Sequence, residues 1–340
     1  MPDIRINGAI LATELATTAA LFQSPCMKPT RCWLKIFSAF PMGAVLCTSV
    51  CADETRFTLM SYNVWKSWSQ VDDGFRKGID SIKASGADIV GLQEASPELA
   101  DRIVSELGWF RSAKSEGSAQ IVSRFPVIES WAIDRLSGAR IRVPGNPERE
   151  VIVFNCHLDY LFYGPYAAFE AGATKESVMA EENCSKRAGQ MEGMLEFMKP
   201  QLDTADRDPV FLTGDFNGPS HLDWTAATAA LHGDVGAVEW SPSIRVIRSG
   251  MIDSFRTVHP DPVKDSGFTW SAIHKDGEPQ DRIDFTYHKG SAVTVVDSLV
   301  FTTRVEATMG KWGRSDDFAI IKKNTWPSDH AAVVTRYRLK

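Results

Sequence analysis

The feature that most constrains this 340-residue chain is a set of five short strings in which strand-like hydrophobic runs end on polar residues. They are Met60-Ser-Tyr-Asn-Val64, Gly91-Leu-Gln-Glu-Ala95, Thr213-Gly-Asp-Phe-Asn-Gly218, Asp281-Arg-Ile-Asp-Phe285 and Trp326-Pro-Ser-Asp-His330. Strand ends on a rigid scaffold are where catalytic groups are presented. One such residue means little, because a buried Asn or Asp usually just satisfies neighbouring backbone. Five in order, carrying Asn, Glu, Asp with Asn, Asp, and Asp with His, form an inventory for metal-assisted phosphate hydrolysis.

The elements around these strings read as an α/β domain. Arg56 to Val64 is β-rich, and Phe75, Ile79 and Ile82 recur at helical spacing before a Gly86 stop. Asp88 to Leu92 is a short buried strand. Ser96-Pro97 then opens a helix that Gly108 closes. Strands are expected at 119–123, 127–133, 139–143, 151–154, 210–213, 283–287, 293–301 and 331–337. A helix from Ser185 to Lys199 should end at Pro200, and residues 159–184 read as irregular, with Tyr160, Phe162, Tyr163, Tyr166 and Phe169 among them. Two sheets with helices on their outer faces fit this mixture.

The first fifty residues differ in kind. Lys28, Arg31 and Lys35 precede an apolar stretch from Ile36 to Val50, and Val50-Cys-Ala52 supplies small residues ahead of Asp53. That is the layout of an export signal over 27–52, preceded by an extension at 1–26 and followed by one catalytic domain at 53–340. About fifteen apolar residues interrupted by Pro41 are short for a bilayer span. Cleavage before Asp53 would remove four basic and two acidic residues, leaving 33 against 41 and a net charge of −8. A protein that grips nucleic-acid phosphates usually carries the opposite sign, which disfavours nucleic acid as the partner. Of six cysteines only Cys156 and Cys184 would remain, either paired in an oxidising compartment or as buried thiols.

Asn63, Glu94 and Asp329 form an all-oxygen set suited to Mg²⁺ or Mn²⁺ shared with a substrate phosphate. No Cys-His cluster has zinc spacing. Asp215 and Asn217 sit on a Gly-flanked turn. Beyond the ordinary Asx-turn, Asp215 there can accept a proton from an attacking water while Asn217 holds a phosphate oxygen. Asp284 can fix the tautomer of His330.

Taken together, the strings resemble the endonuclease/exonuclease/phosphatase superfamily over nearly all of residues 56–340. The resemblance implies a four-layered α/β sandwich with the site at one edge of its two sheets. It implies metal-site roles for Asn63, Glu94 and Asp329, a base and phosphate-orienting pair in Asp215 and Asn217, and an Asp284–His330 pair. Asn155-Cys-His157 is similar to the deoxyribonuclease I and sphingomyelinase members, with Glu116 the candidate partner of His157. The expectation is an exported, monomeric, metal-dependent phosphodiesterase acting on a small phosphate ester or a phospholipid headgroup, with transient lipid contact. The alternatives are a secreted nuclease and, less so, a binding module on the same fold, against which the intact polar set argues.

Overall fold

The structure, a computed structural model, describes residues 54–113, 117–310 and 315–340. The expected export signal, the extension before it and Glu116 lie outside the described residues.

Among the described residues the strands are β1 Thr55–Asn63, β2 Ile89–Gln93, β3 Phe110–Arg111, β4 Gln120–Ser123, β5 Val127–Ile133, β6 Leu136–Val143, β7 Arg149–His157, β8 Val210–Asp215, β9 Ile252–Asp253, β10 Asp284–Lys289, β11 Val293–Phe301 and β12 Ala332–Leu339. One sheet runs β11-β12-β1-β2-β4-β3 and the other β5-β6-β7-β8-β10-β9. Each is mixed, with one parallel pair near its middle, β1 with β2 and β7 with β8.

The period of two along a strand explains how two such sheets bear a site. On β1, Phe57 and Leu59 enter the apolar cluster that also holds Ile89, Val151, Val153 and Phe211 from three other strands. Met60 and Tyr62, one residue out of step, belong to a different cluster with Ile79, Ile82, Leu99 and Ile103. The Phe57 face continues in steps of two through Ser61 to Asn63. The same progression runs from Val153 to Asn155 and His157, and from Phe211 to Thr213 and Asp215. The layer between the sheets is therefore apolar at one end and polar at the other.

That polar end is closed by hydrogen bonds. Gln93 Nε2 donates to Asn155 Oδ1 at 2.5 Å and to Ser61 Oγ at 3.2 Å. Asn155 Nδ2 donates to the carbonyls of Leu92 and Gln120, and Thr213 Oγ1 donates to Asn155 Oδ1. A Cβ at Gly91 would lie 2.0 Å from Thr213 Oγ1 and 2.7 Å from Asn155 Oδ1, so only glycine lets the sheets meet there. Removing one partner would leave a buried polar group unsatisfied, at a cost of about 1–3 kcal/mol.

The outer layers follow the sequence signals. Helix α1, Gly74–Ser85, ends at a left-handed Gly86, and α2, Pro97–Leu107, starts with Ser96 Oγ accepting from Leu99 N–H. Helix α3, Lys175–Glu182, falls in the segment read as irregular; its Thr174–Ser177 capping box starts it without an amphipathic pattern to announce it. Helix α4 spans Arg187–Leu202, with Met191, Met194, Met198 and Leu202 buried. Pro200 does not end it as expected, and the helix runs two residues further to Leu202. Strand β8 reaches Asp215, two residues beyond the expected end. Cys156 is buried, Cys184 is exposed, and the two are not joined.

Candidate active site

The sheet register sets three site residues side by side. Asp215 pairs with His157 across β7 and β8 and with Asp284 across β8 and β10. From the other sheet, Asn63 ends β1 opposite Gln93, and Glu94 follows one residue later with φ +55°. Asp329 and His330 arrive just before β12. The Trp326–His330 string holds itself in place: Trp326 Nε1 donates to the His330 carbonyl at 2.6 Å, and Ser328 Oγ donates to the Asn63 carbonyl at 2.7 Å.

Asp215 is fully buried. Its Oδ1 accepts from Asn217 N–H at 2.8 Å, closing the Asx-turn, and its Oδ2 accepts from Asn63 Nδ2 at 2.8 Å. The same Oδ2 lies 3.7 Å from His157 Nε2 and 3.8 Å from His330 Nε2. Burial, its largest influence, raises its pKa despite the two imidazoles.

The two histidines are poised oppositely. Burial pulls on His330 too, but Asp284, whose Oδ2 is 2.9 Å from His330 Nδ1, together with Asp215 and Asp329, overcomes it and lifts the pKa well above the ordinary value. These carboxylates thus favour the charged form of His330. His157 has no comparable partner, and burial lowers its pKa. Its Nδ1 lies 3.1 Å from Ser118 Oγ.

Asn63 lies between the acidic groups of the two sheets. Its Oδ1 accepts from Trp65 N–H at 2.9 Å, and its nitrogen faces Asp215, Glu94 Oε1 at 3.3 Å and His330 Nε2 at 3.4 Å. In this placement Asn63 organises the acidic groups as a donor. Asn217 Nδ2 donates to the Leu158 carbonyl at 3.1 Å, and the residue lines the cavity.

Two acidic groupings could take a metal. Ligand atoms of Asp215, Asp284 and His330 lie within 4.8 Å of one another. In that group Asp215 is held by Asn63 and Asn217 and Asp284 Oδ2 by His330, Asp284 Oδ1 is buried without a hydrogen-bond partner, and neither Asp lines the cavity. Glu94 and Asp329 do line it. Asp329 Oδ1 is buried without a hydrogen-bond partner, and burial, with the Glu94 charge nearby, pushes its pKa up to about 7. An orphaned buried carboxylate oxygen is costly, and a hard divalent cation would satisfy it. Asp284 Oδ1 meets the same condition, so both groupings suit such an ion, and Glu94 with Asp329 is the one whose carboxylates line the cavity.

These groups open into a cavity of about 640 Å³, walled by Trp65, Tyr160, Tyr163, Tyr166 and Trp270. Trp270 packs 4.8 Å from the His330 ring. The aromatic segment is braced from behind, which composition did not reveal. Fully buried Arg187 pairs with Glu182 and donates to the carbonyls of Asp159, Leu161 and Phe162. Tyr163 is tied by its hydroxyl to Asp281 Oδ2 at 2.8 Å, and Asp281, which also accepts from Trp224 Nε1, is pushed up to about 7 by burial.

A catalytic array at one edge of paired sheets defines a class of phosphoesterase, and comparison with known proteins agrees. The Endonuclease/Exonuclease/phosphatase family matches residues 60–330. The chain belongs to that family, is a phosphoric ester hydrolase, and fits the deoxyribonuclease I-like branch. Family enzymes are generally dependent on divalent metals. The Caenorhabditis elegans protein F14F9.5, described as uncharacterized, is 31% identical over 293 residues, covering 82% of this chain and 90% of its own length. Three solved structures share the fold. An endonuclease/exonuclease/phosphatase family protein from Bacteroides thetaiotaomicron matches at 17% identity with a TM-score of 0.52, over 84% of this chain and 99% of that one. The catalytic domain of human Nocturnin, with bound sulfate, matches at 15% and 0.52, over 84% and 95%. D. rerio TDP2, complexed with a single-stranded DNA product, matches at 16% and 0.50, over 83% and 98%.

Proposed function

We propose that this protein is an exported, Mg²⁺-dependent phosphodiesterase acting on a small phosphodiester or a phospholipid headgroup. The observation that carries the reading is the pair of oppositely poised histidines beside buried Asp215, at the floor of a cavity of small-molecule size. Mn²⁺ would suit the same oxygen ligands.

In this reading Asp215 takes the proton of the attacking water, and its raised pKa makes it a better base near neutrality. Asn63 and the Asn217 N–H hold its two oxygens, fixing the carboxylate plane. His330, kept charged by Asp284, offers Nε2–H to the phosphate or the leaving oxygen. His157, neutral and steadied by Ser118, contributes a hydrogen bond from the other side. Asn217 orients a phosphate oxygen. A divalent ion held by Glu94 and Asp329 would neutralise charge developing on the phosphate.

Export rests on the 27–52 segment alone. A nuclease is the second reading, favoured by the exposed rings of Tyr160 and Tyr166, which could stack bases. The deciding experiment assays purified protein on an aryl phosphodiester, an aryl phosphomonoester, sphingomyelin and plasmid DNA, each with and without EDTA. Hydrolysis of a diester that EDTA abolishes and Mg²⁺ or Mn²⁺ restores supports the reading. Turnover in metal-free protein, or rapid plasmid cleavage with tight salt-dependent DNA binding, overturns it.

A further inference from the structure

The turn from Trp65 to Trp68 is unlike the rest of the backbone. Four successive non-glycine residues take left-handed φ values, 40°, 54°, 60° and 58°. L-residues visit that region rarely and singly, so a run of four persists only where surroundings impose it. Trp65 N–H donates to Asn63 Oδ1, Lys66 N–H to Glu94 Oε2 at 2.8 Å, and Ser67 N–H to the Glu94 carbonyl at 2.9 Å. Trp65 and Trp68 are buried on either side, and a Cβ at Gly78 would strike the Trp68 ring at 2.3 Å. The outcome is that Lys66 alone is turned outward, exposed, between two anchored tryptophans.

Lys66 is the one Lys or Arg among the described residues that line the cavity. Among the described residues no carboxylate pairs with its ammonium, whereas Arg140, Arg256 and Arg282 all have acidic partners. The scissile phosphate already has His330, His157 and Asn217 at the floor. A cation carried on an anchored turn, lining the same cavity as exposed Tyr160 and Tyr166, is left over. We propose that Lys66 is a specificity-determining residue, reading an anionic group, phosphate or carboxylate, that the substrate carries in addition to the phosphate being cleaved. This inference rests on the phosphodiesterase reading above.

The test uses three p-nitrophenyl phosphodiesters whose second arm is methyl, 2-carboxyethyl or 2-phosphoethyl. The measured quantity is the KM of the methyl ester divided by that of each charged ester. A charge-assisted contact at a partly exposed site should make this ratio about 5 to 10 in the wild type, falling towards one as salt is raised. Lys66→Gln should bring it near one at all salt concentrations, and Lys66→Arg should keep it. The larger ratio of the two charged arms identifies the anion. Equal KM values for all three esters in the wild type, or an unchanged ratio in Lys66→Gln, overturn the proposal. If no ester is hydrolysed, the phosphodiesterase reading fails, and the charge reading is decided by calorimetry: the 2-phosphoethyl ester must bind Lys66→Gln several-fold more weakly than wild type, and equal affinity sinks it.

Discussion

The floor of the cavity and its aromatic rim are built on opposite principles. The floor is a set of buried polar groups that hold one another in place, as Asn63 and Asn217 hold Asp215, with Asp284 Oδ1 and Asp329 Oδ1 left open. The rim is a loop whose side chains face outward, with Tyr160 66% and Phe162 47% exposed, and whose order comes from Arg187 behind it. The floor therefore fixes what chemistry is done, and the rim bears on which molecule receives it. Substitutions at the floor should lower turnover of every substrate alike; those at the rim should discriminate between substrates.

The sharpest break of that contrast lies at the floor. Asp215→Asn and His330→Ala should each lower kcat for any phosphodiester by roughly two to four orders of magnitude while the protein stays folded. Steady-state rates and far-UV circular dichroism check this. A folded variant with near-normal turnover would remove that residue from the reaction.

Asp284→Asn should act differently. Without the carboxylate that holds His330 charged, the imidazole loses its proton at lower pH. The alkaline limb of kcat/KM, measured with saturating Mg²⁺, should therefore move to lower pH. The same sign holds for stability. A raised His330 pKa contributes stability below the unfolded value near 6.5, and this is lost as pH climbs through the folded value. The variant should thus lose more stability at pH 6 than at pH 9. An alkaline limb that stays in place would separate Asp284 from His330.

How much of this was legible in the sequence follows the same division. The five strings located the floor because each site residue lies at or next to one end of a strand, where hydrophobic periodicity meets a polar side chain. The element types and the fold were legible for the same reason. The orientation of Asn63 was not, because a sequence cannot say which end of an amide its neighbours demand. Nor was the Gln93–Asn155–Thr213 network, whose members lie on three strands of two sheets. The extension of β8 to Asp215 was masked by a Gly-rich text that reads as a turn. At the rim, the rings of 160–169 were visible, but their brace was not. Nothing marks Arg187 as buried, and a lone Arg at a helix start is usually solvated.

Arg187 gives a prediction of middle size. Arg187→Met should leave Glu182 buried without its partner and cost on the order of 3–5 kcal/mol of stability, read as urea unfolding. It should raise KM for the true substrate more than for a minimal aryl phosphodiester. Adding Glu182→Leu should recover part of the stability without recovering KM, since the carbonyls of Leu161 and Phe162 still lack their donor. Recovery of both would show that the ion pair, and not the loop, is what matters.

The smallest effect is expected at Tyr166. Its hydroxyl donates to Glu278 Oε1 at 2.5 Å, while its ring lines the cavity and meets Tyr163 at 5.4 Å, edge to face. The hydroxyl bond is half in solvent, so its net worth is about 0.5–1.5 kcal/mol. Tyr166→Phe should accordingly change KM for the true substrate by no more than a few-fold and leave a minimal aryl phosphodiester unaffected. Tyr166→Ala removes the ring as well and should raise KM further, again without touching the minimal ester. The pair of variants thus separates a contact made by the ring from one made by the hydroxyl. If Tyr166→Ala instead slows the minimal ester as much as the true substrate, the rim is supporting the floor, and the division between chemistry and recognition does not hold.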